Sequence, residues 1–234
     1  MFTYKGINSR DMGLRIDGNL SFESPDRDVD LISIAGRNGD LVMDNGRFES
    51  VLKTLNCRIL TEGNVEERIN QIHNWLATDV GYHDFTWSGD RDFTYQAMVE
   101  NGVRSQRTLT KLARMAIKFR VHPIKYLTSS LSERQVSSGM NIANPFDIAS
   151  KPIIRIVGNG NFRLNIGNQV LDLRDINRGI TVDCETMTVT SFNGQFTEFD
   201  KMYSSFPELR PGNNNVIFNN DFQVFITSRF GVLV

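Results

Sequence analysis

Apolar and polar residues alternate along most of this chain, and the run Leu112–Val121 is the clearest case. Ala113, Met115, Ile117, Phe119 and Val121 fall on one side of an extended strand, while Leu112, Arg114, Ala116, Lys118 and Arg120 mostly face water. A period of two cannot be buried by a helix, so such segments must pair into antiparallel sheets with one face on a core. Val51, Leu55, Cys57 and Ile59 share a face of Ser50–Leu60 in the same way. Tyr82–Trp87 and Phe93–Val99 read as two further strands around a Ser88-Gly89-Asp90-Arg91 turn.

Only one segment carries a helical period. Val65, Ile69, Ile72 and Leu76 recur at spacings of four, three and four, with Trp75 beside them, which predicts a helix that packs on a sheet and ends near Asp79. Asn64 is placed to cap it through the Glu67 amide, and Glu66 suits the positive end of its dipole. Upstream, Asp30–Ile34 leads through Gly36-Arg37-Asn38-Gly39 into Asp40–Met43, and Asn38-Gly39 marks a hairpin turn.

Ser129–Ser150 breaks the pattern with six serines, scattered apolar residues and Pro145, and reads as a linker or crossover. Beyond it, Pro152–Val157, Asn161–Ile166, Gln169–Leu173, Gly179–Cys184 and Met187–Phe192 are short strands with no helix between them. Val216–Phe218 and the alternation of Phe222, Val224 and Ile226 complete an all-β half. The expected organisation is therefore a domain over residues 1–130, a linker over 131–150 and a β-sandwich over 151–234. The fold class is mainly β, with an N-terminal sandwich or barrel-like domain carrying one helix and a protruding hairpin.

Chemistry is sparse. The three histidines, His73, His83 and His122, have no metal or catalytic spacing, and Cys57 and Cys184 lie in strand-like runs without a CxxC partner. Gly158-Asn159-Gly160-Asn161-Phe162-Arg163 has Arg where a dinucleotide fingerprint needs its third glycine, so it reads as a hairpin turn. Asp172–Gly179 lacks the terminal Glu of a calcium loop and reads as a turn. No cofactor, metal or catalytic residue is expected, and the chain reads as a non-enzyme. Basic and acidic residues number 17 and 17 up to Thr128 and 9 and 10 after it, so neither half offers a basic nucleic-acid footprint. No run approaches the roughly 18 apolar residues of a membrane-spanning helix, and a soluble protein made in a cytoplasm is expected.

Several segments, taken in order, carry a resemblance. In the first half they are Ser24-Pro25-Asp26-Arg27 and Ile34-Ala35-Gly36-Arg37-Asn38-Gly39-Asp40-Leu41, followed by a strand and a single helix. In the second half they are Ala143-Asn144-Pro145, Pro152–Gly160, Ile180–Glu185 and Phe206–Asn214. In this order the chain resembles the distal tail proteins (Dit), short form, of siphophages and prophages of Gram-positive bacteria, with Asn38 where the family's Gly-Arg-acid-Gly turn has its acid. The resemblance implies a galectin-like C-terminal sandwich and a homo-hexameric ring at the virion tail tip, assembled in the host cytoplasm. It also implies a hub between the tail tube protein and the tail-associated baseplate and receptor-binding proteins, with the tape-measure protein and DNA passing through a central channel without specific binding.

Two surfaces are the candidate sites. Leu41, Val42 and Met43 cannot be buried by a lone hairpin, so these residues with Arg37, Asn38 and Asp40 are expected either at a subunit boundary or packed on their own sheet. Phe192, Phe196, Phe199 and Tyr203 lie where alternation is poor. They are expected either to plug the sandwich and its partner contacts or to form the platform of a carbohydrate-binding module that contacts the host wall.

Overall fold

The structure, a computed structural model, describes residues 1–18, 22–100, 104–109, 111–219 and 221–234. The chain forms two compact units, and it passes from the first to the second between Lys125 and Tyr126. Only Leu233 and Val234 return to the first.

In the first unit one continuous, curled sheet is built around Leu112–Val121, which pairs residue for residue with Val51–Leu60 from Leu112↔Leu60 to Val121↔Val51. Outward from this pair lie Asp90–Val99, His83–Trp87 and Phe2–Tyr4 on one side and Leu14–Ile16 on the other. The alternation read from the sequence is the burial pattern observed: Ala113, Met115, Ile117, Phe119 and Val121 are all buried, as are Leu55, Cys57 and Ile59. The helix Val65–Ala77 lays Val65, Ile69, Ile72, Trp75 and Leu76 into the same core cluster as these residues. Asn64 caps it through the Glu66 amide at 2.9 Å, one residue earlier than expected, because the short Asn side chain reaches the second helical N–H. Trp75 Nε1 donates to the Tyr4 carbonyl at 3.2 Å and ties the helix to the strand Phe2–Tyr4.

The second unit is a two-sheet sandwich. Its five-stranded sheet is ordered Arg134–Val136, Gln223–Thr227, Ile153–Val157, Gly179–Asp183, Thr188–Ser191. Its four-stranded sheet is ordered Met140–Asn144, Gly212–Phe218, Gly160–Ile166, Gln169–Ile176. Ile154, Ile156, Ile180, Val182, Val224 and Ile226 from the first sheet meet Phe162, Leu164, Ile166, Leu171, Leu173 and Val216 from the second in one core.

Two expectations are corrected here. Ser129–Ser150 is no linker: it contains the short helix Thr128–Leu131 in part and two strands, Arg134–Val136 and Met140–Asn144, each paired within a sandwich sheet. Three of its polar residues, Ser130, Asn144 and Ser150, are buried. Asn144 donates to the Ile148 and Leu209 carbonyls at 2.9 and 3.0 Å, and Ser150 Oγ donates to the Ser228 carbonyl at 2.7 Å. Gly158-Asn159-Gly160 is likewise not a hairpin turn, since Ile153–Val157 and Gly160–Ile166 belong to different sheets. The chain turns a corner there, and Gly158 is required because a Cβ would stand 2.3 Å from the Phe222 ring. Gly167-Asn168, by contrast, is a two-residue hairpin turn, with Ile166 and Gln169 paired and Gly167 at φ 55°.

A half-buried ionic cluster holds the start and the end of the second unit. Arg229 donates to both oxygens of Asp183 at 2.7 and 3.0 Å and lies 3.5 Å from Glu185, which accepts from the Tyr126 hydroxyl at 2.7 Å. Burial is the largest influence on Asp183 and works against its charge, but the hydrogen bonds and charge of Arg229 together with the Glu185 and Thr186 amides outweigh it and hold the carboxyl below its ordinary value. A carboxyl whose pKa is lowered by folding contributes stability that is present above its unfolded value and lost as pH falls through the folded one. The second unit should therefore lose stability as pH drops below about 4, and Asp183→Asn should flatten that part of the profile. Arg229→Met should cost about 2 kcal/mol at neutral pH, since it strands a half-buried carboxylate. Chemical denaturation across pH checks both results.

Candidate functional site

Arg27–Ile32 and Leu41–Phe48 pair with each other in a two-stranded sheet of their own, separate from the large sheet. The hairpin is longer than the sequence suggested. Gly46 lies inside its second strand, and Asn38-Gly39 belongs to the connecting loop 33–40, where Gly36 and Gly39 adopt φ of 80° and 79°.

Ion pairs stitch the base of the hairpin. Arg27 donates through Nε and Nη2 to Asp44 at 2.9 and 2.6 Å, and its guanidinium lies 4.7 Å from the Phe48 ring centre. Arg47 Nε donates to Asp28 at 2.5 Å, and Asn45 bridges Asp28 and Asp30 at 2.9 and 3.3 Å. Hydrogen bonding from Arg27 holds the Asp44 carboxyl below its ordinary value, and Asn45 followed by Arg47 does the same for Asp28. These groups are exposed and confer little energy, but paired charges across a two-stranded ribbon fix its register.

The outer part of the hairpin is apolar on both faces. Opposed residues share a face, so Leu31 with Val42, and Val29 beside them, point one way, while Ile32 with Leu41, and Met43, point the other. All are exposed: Leu31 by 63%, Val42 by 60% and Met43 by 51%, with Ile34 continuing the patch into the loop. A two-stranded ribbon has no interior, so neither face can be buried by the hairpin itself. Leu41, Val42 and Met43, identified from sequence, thus lie together with Val29, Leu31 and Ile32, which sequence reasoning left out. Their signal was present: Arg27-Asp28-Val29-Asp30 carries charges complementary to Asp44-Asn45-Gly46-Arg47. Arg37, Asn38 and Asp40 lie exposed in the connecting loop, and neither Arg37 nor Asp40 forms an ion pair among the described residues.

The second candidate group is not gathered into one cluster. Phe192, Phe196, Phe199 and Tyr203 are all exposed, and among the described residues none of the four rings stacks on another. Phe192 covers Gly179, where a Cβ would lie 2.7 Å from its ring. Phe199 meets Phe206 at 6.1 Å between ring centres, and Tyr203 lies under the Arg174 guanidinium at 4.2 Å.

Burial pushes the Cys57 and Cys184 thiols up to about 12, so neither is a thiolate at neutral pH. Among the described residues no three His, Cys, Asp or Glu side chains converge as metal ligands, and no helix is long and apolar enough to cross a membrane.

No protein-family model and no curated protein matches this sequence. Solved structures do. The SPP1 Dit (gp 19.1) protein, described as a paradigm of the hub adsorption apparatus in phages that infect Gram-positive bacteria, superposes with a TM-score of 0.67. The match covers 99% of this chain and 98% of that one at 17% sequence identity. From its first strand to its last, this chain therefore has the fold of the SPP1 Dit protein.

Proposed function

We propose that this protein is the structural hub of a siphophage tail tip, a non-catalytic subunit that assembles into a homo-hexameric ring around a central channel. The observation that carries this reading is the likeness in fold to a hub adsorption protein over the full length of both chains, with no large insertion on either side. The exposed, two-faced apolar hairpin supports the assembly part. A chain that leaves Leu31, Val42 and Met43 in water gains on the order of 5 kcal/mol per subunit by covering them, enough to favour a neighbour's surface over solvent.

In this reading the first unit builds the ring and its hairpin reaches the adjacent subunit. The second unit faces outward towards receptor-binding proteins, while the tail tube and tail-associated baseplate proteins stack on the two sides of the ring. The balanced charge of the chain suits passage of the tape-measure protein and DNA, because a basic lining would hold phosphates. Negative-stain images of the purified protein, together with its mass by light scattering, test the proposal. Six-fold rings with a central hole are expected. A compact monomer at every concentration would overturn it.

A further inference from the structure

The outward face of the large sheet in the first unit carries a row of arginines. Strand register lines them up: Arg15 is paired with Arg58, and Arg58 in turn with Arg114, across three adjacent strands. Opposed residues share a face, and all three arginines are exposed, while Leu14, Ile59 and Ala113 beside them are buried. Lys118, four residues after Arg114 on the same strand, is exposed on the same face. Leu60, paired with Leu112, adjoins the row, and Leu52 lies at the other end of its strand. Both leucines face outward and are 47% exposed.

Charge on this face is only partly neutralised. Arg58 donates to Asp17, and Arg120 donates to Glu100 at 2.7 Å. Arg15, Arg114 and Lys118 form no ion pair among the described residues. Like charges directly opposed on neighbouring strands repel, so three arginines in register weaken the sheet rather than hold it. The row becomes favourable once anionic groups lie across it, because each guanidinium can then donate two parallel N–H bonds to one carboxylate or phosphate.

We infer that this sheet face docks an acidic helix of a protein partner. Residues in register on adjacent strands are spaced by about 5 Å. Carboxylates three or four residues apart on a helix lie about 5–6 Å apart, so one acidic helix laid across the strands meets the row step for step. On an extended partner strand, side chains of one face recur every roughly 7 Å and fall out of step by the third. The exposed leucines decide between protein and nucleic acid. A phosphate backbone has nothing apolar to set against Leu52 and Leu60, whereas a helix can flank its acidic stripe with aliphatic side chains. The inference stands on this face alone and does not depend on the hub reading.

A fluorescent helical peptide with a stripe of glutamates at i, i+4 and i+7 and leucines beside it tests this, titrated by anisotropy into the full-length protein at about 50 mM salt. Saturable binding is expected, and the same peptide with lysines for glutamates should bind at least about tenfold more weakly. Arg15→Ala with Arg114→Ala should weaken binding of the acidic peptide by about tenfold or more. Arg15→Glu with Arg114→Glu should reverse the preference in favour of the lysine peptide. Arg163→Ala, at an exposed arginine of the second unit, should leave binding unchanged. No binding of the acidic peptide would overturn the inference, as would binding that survives the double alanine variant. So would tighter binding of a short DNA duplex than of the peptide, which would assign the face to phosphates. Light scattering on the same variants completes the test: they should assemble like the parent, and loss of assembly would show instead that a second copy of this chain covers the face.

Discussion

The double substitution Leu41→Asp with Val42→Asp will leave a folded monomer that no longer forms a ring. The two residues are neighbours on one strand, so they charge opposite faces of the hairpin, and their cross-strand partners Ile32 and Leu31 are uncharged. Each is already exposed in the single subunit, so the substitution removes little from the fold itself. Unfolding free energy should change by less than about 0.5 kcal/mol. In an assembled ring the same carboxylates would be taken out of water without a partner, at a cost of several kcal/mol each. Light scattering and circular dichroism read the two consequences separately. If the variant stays hexameric while folded, the hairpin is not the contact between subunits, and its apolar faces must meet another tail protein.

The sequence disclosed what depends on neighbours along the chain and concealed what depends on distant partners. Leu112–Val121 was legible because its own alternation records which face is buried, and the helix Val65–Ala77 because its period of three and four does the same. Ser129–Ser150 misled because its strands find their partners some eighty residues downstream, as in Met140↔Val216 and Arg134↔Ile226, and because buried serine and asparagine look like solvated loop. The corner at Gly158 was hidden for a similar reason, since Gly-Asn-Gly serves a hairpin and a change of sheet equally well and only the ring of Phe222 distinguishes them. For the hairpin, Asn38-Gly39 drew attention to the loop, while the length of the ribbon was written in the complementary charges at its base.

Phe119→Ala will produce the largest loss of stability among single core substitutions considered. Phe119 sits on the central strand of the first unit, paired with Lys53 on one side and Val99 on the other, and is 1% exposed. Its ring meets Tyr4 at 5.2 Å, Phe85 at 5.4 Å and Phe2 at 6.2 Å between centres, and Phe2 in turn stacks on Trp75 of the helix. Truncation therefore opens a cavity where two other strands and, through Phe2, the helix converge. A phenylalanine removed from such a site costs about 4 kcal/mol, a large share of the roughly 5–15 kcal/mol that holds a domain folded. For a unit of this size the thermal transition should fall by about 15 °C. The core cluster of the second unit shares no residue with that of the first, so its transition should move by less than about 1 kcal/mol. Phe119→Leu should recover more than half of the loss, because it refills most of the volume. Scanning calorimetry resolves these outcomes, and equal shifts in both transitions would show that the two cores unfold as one cooperative body.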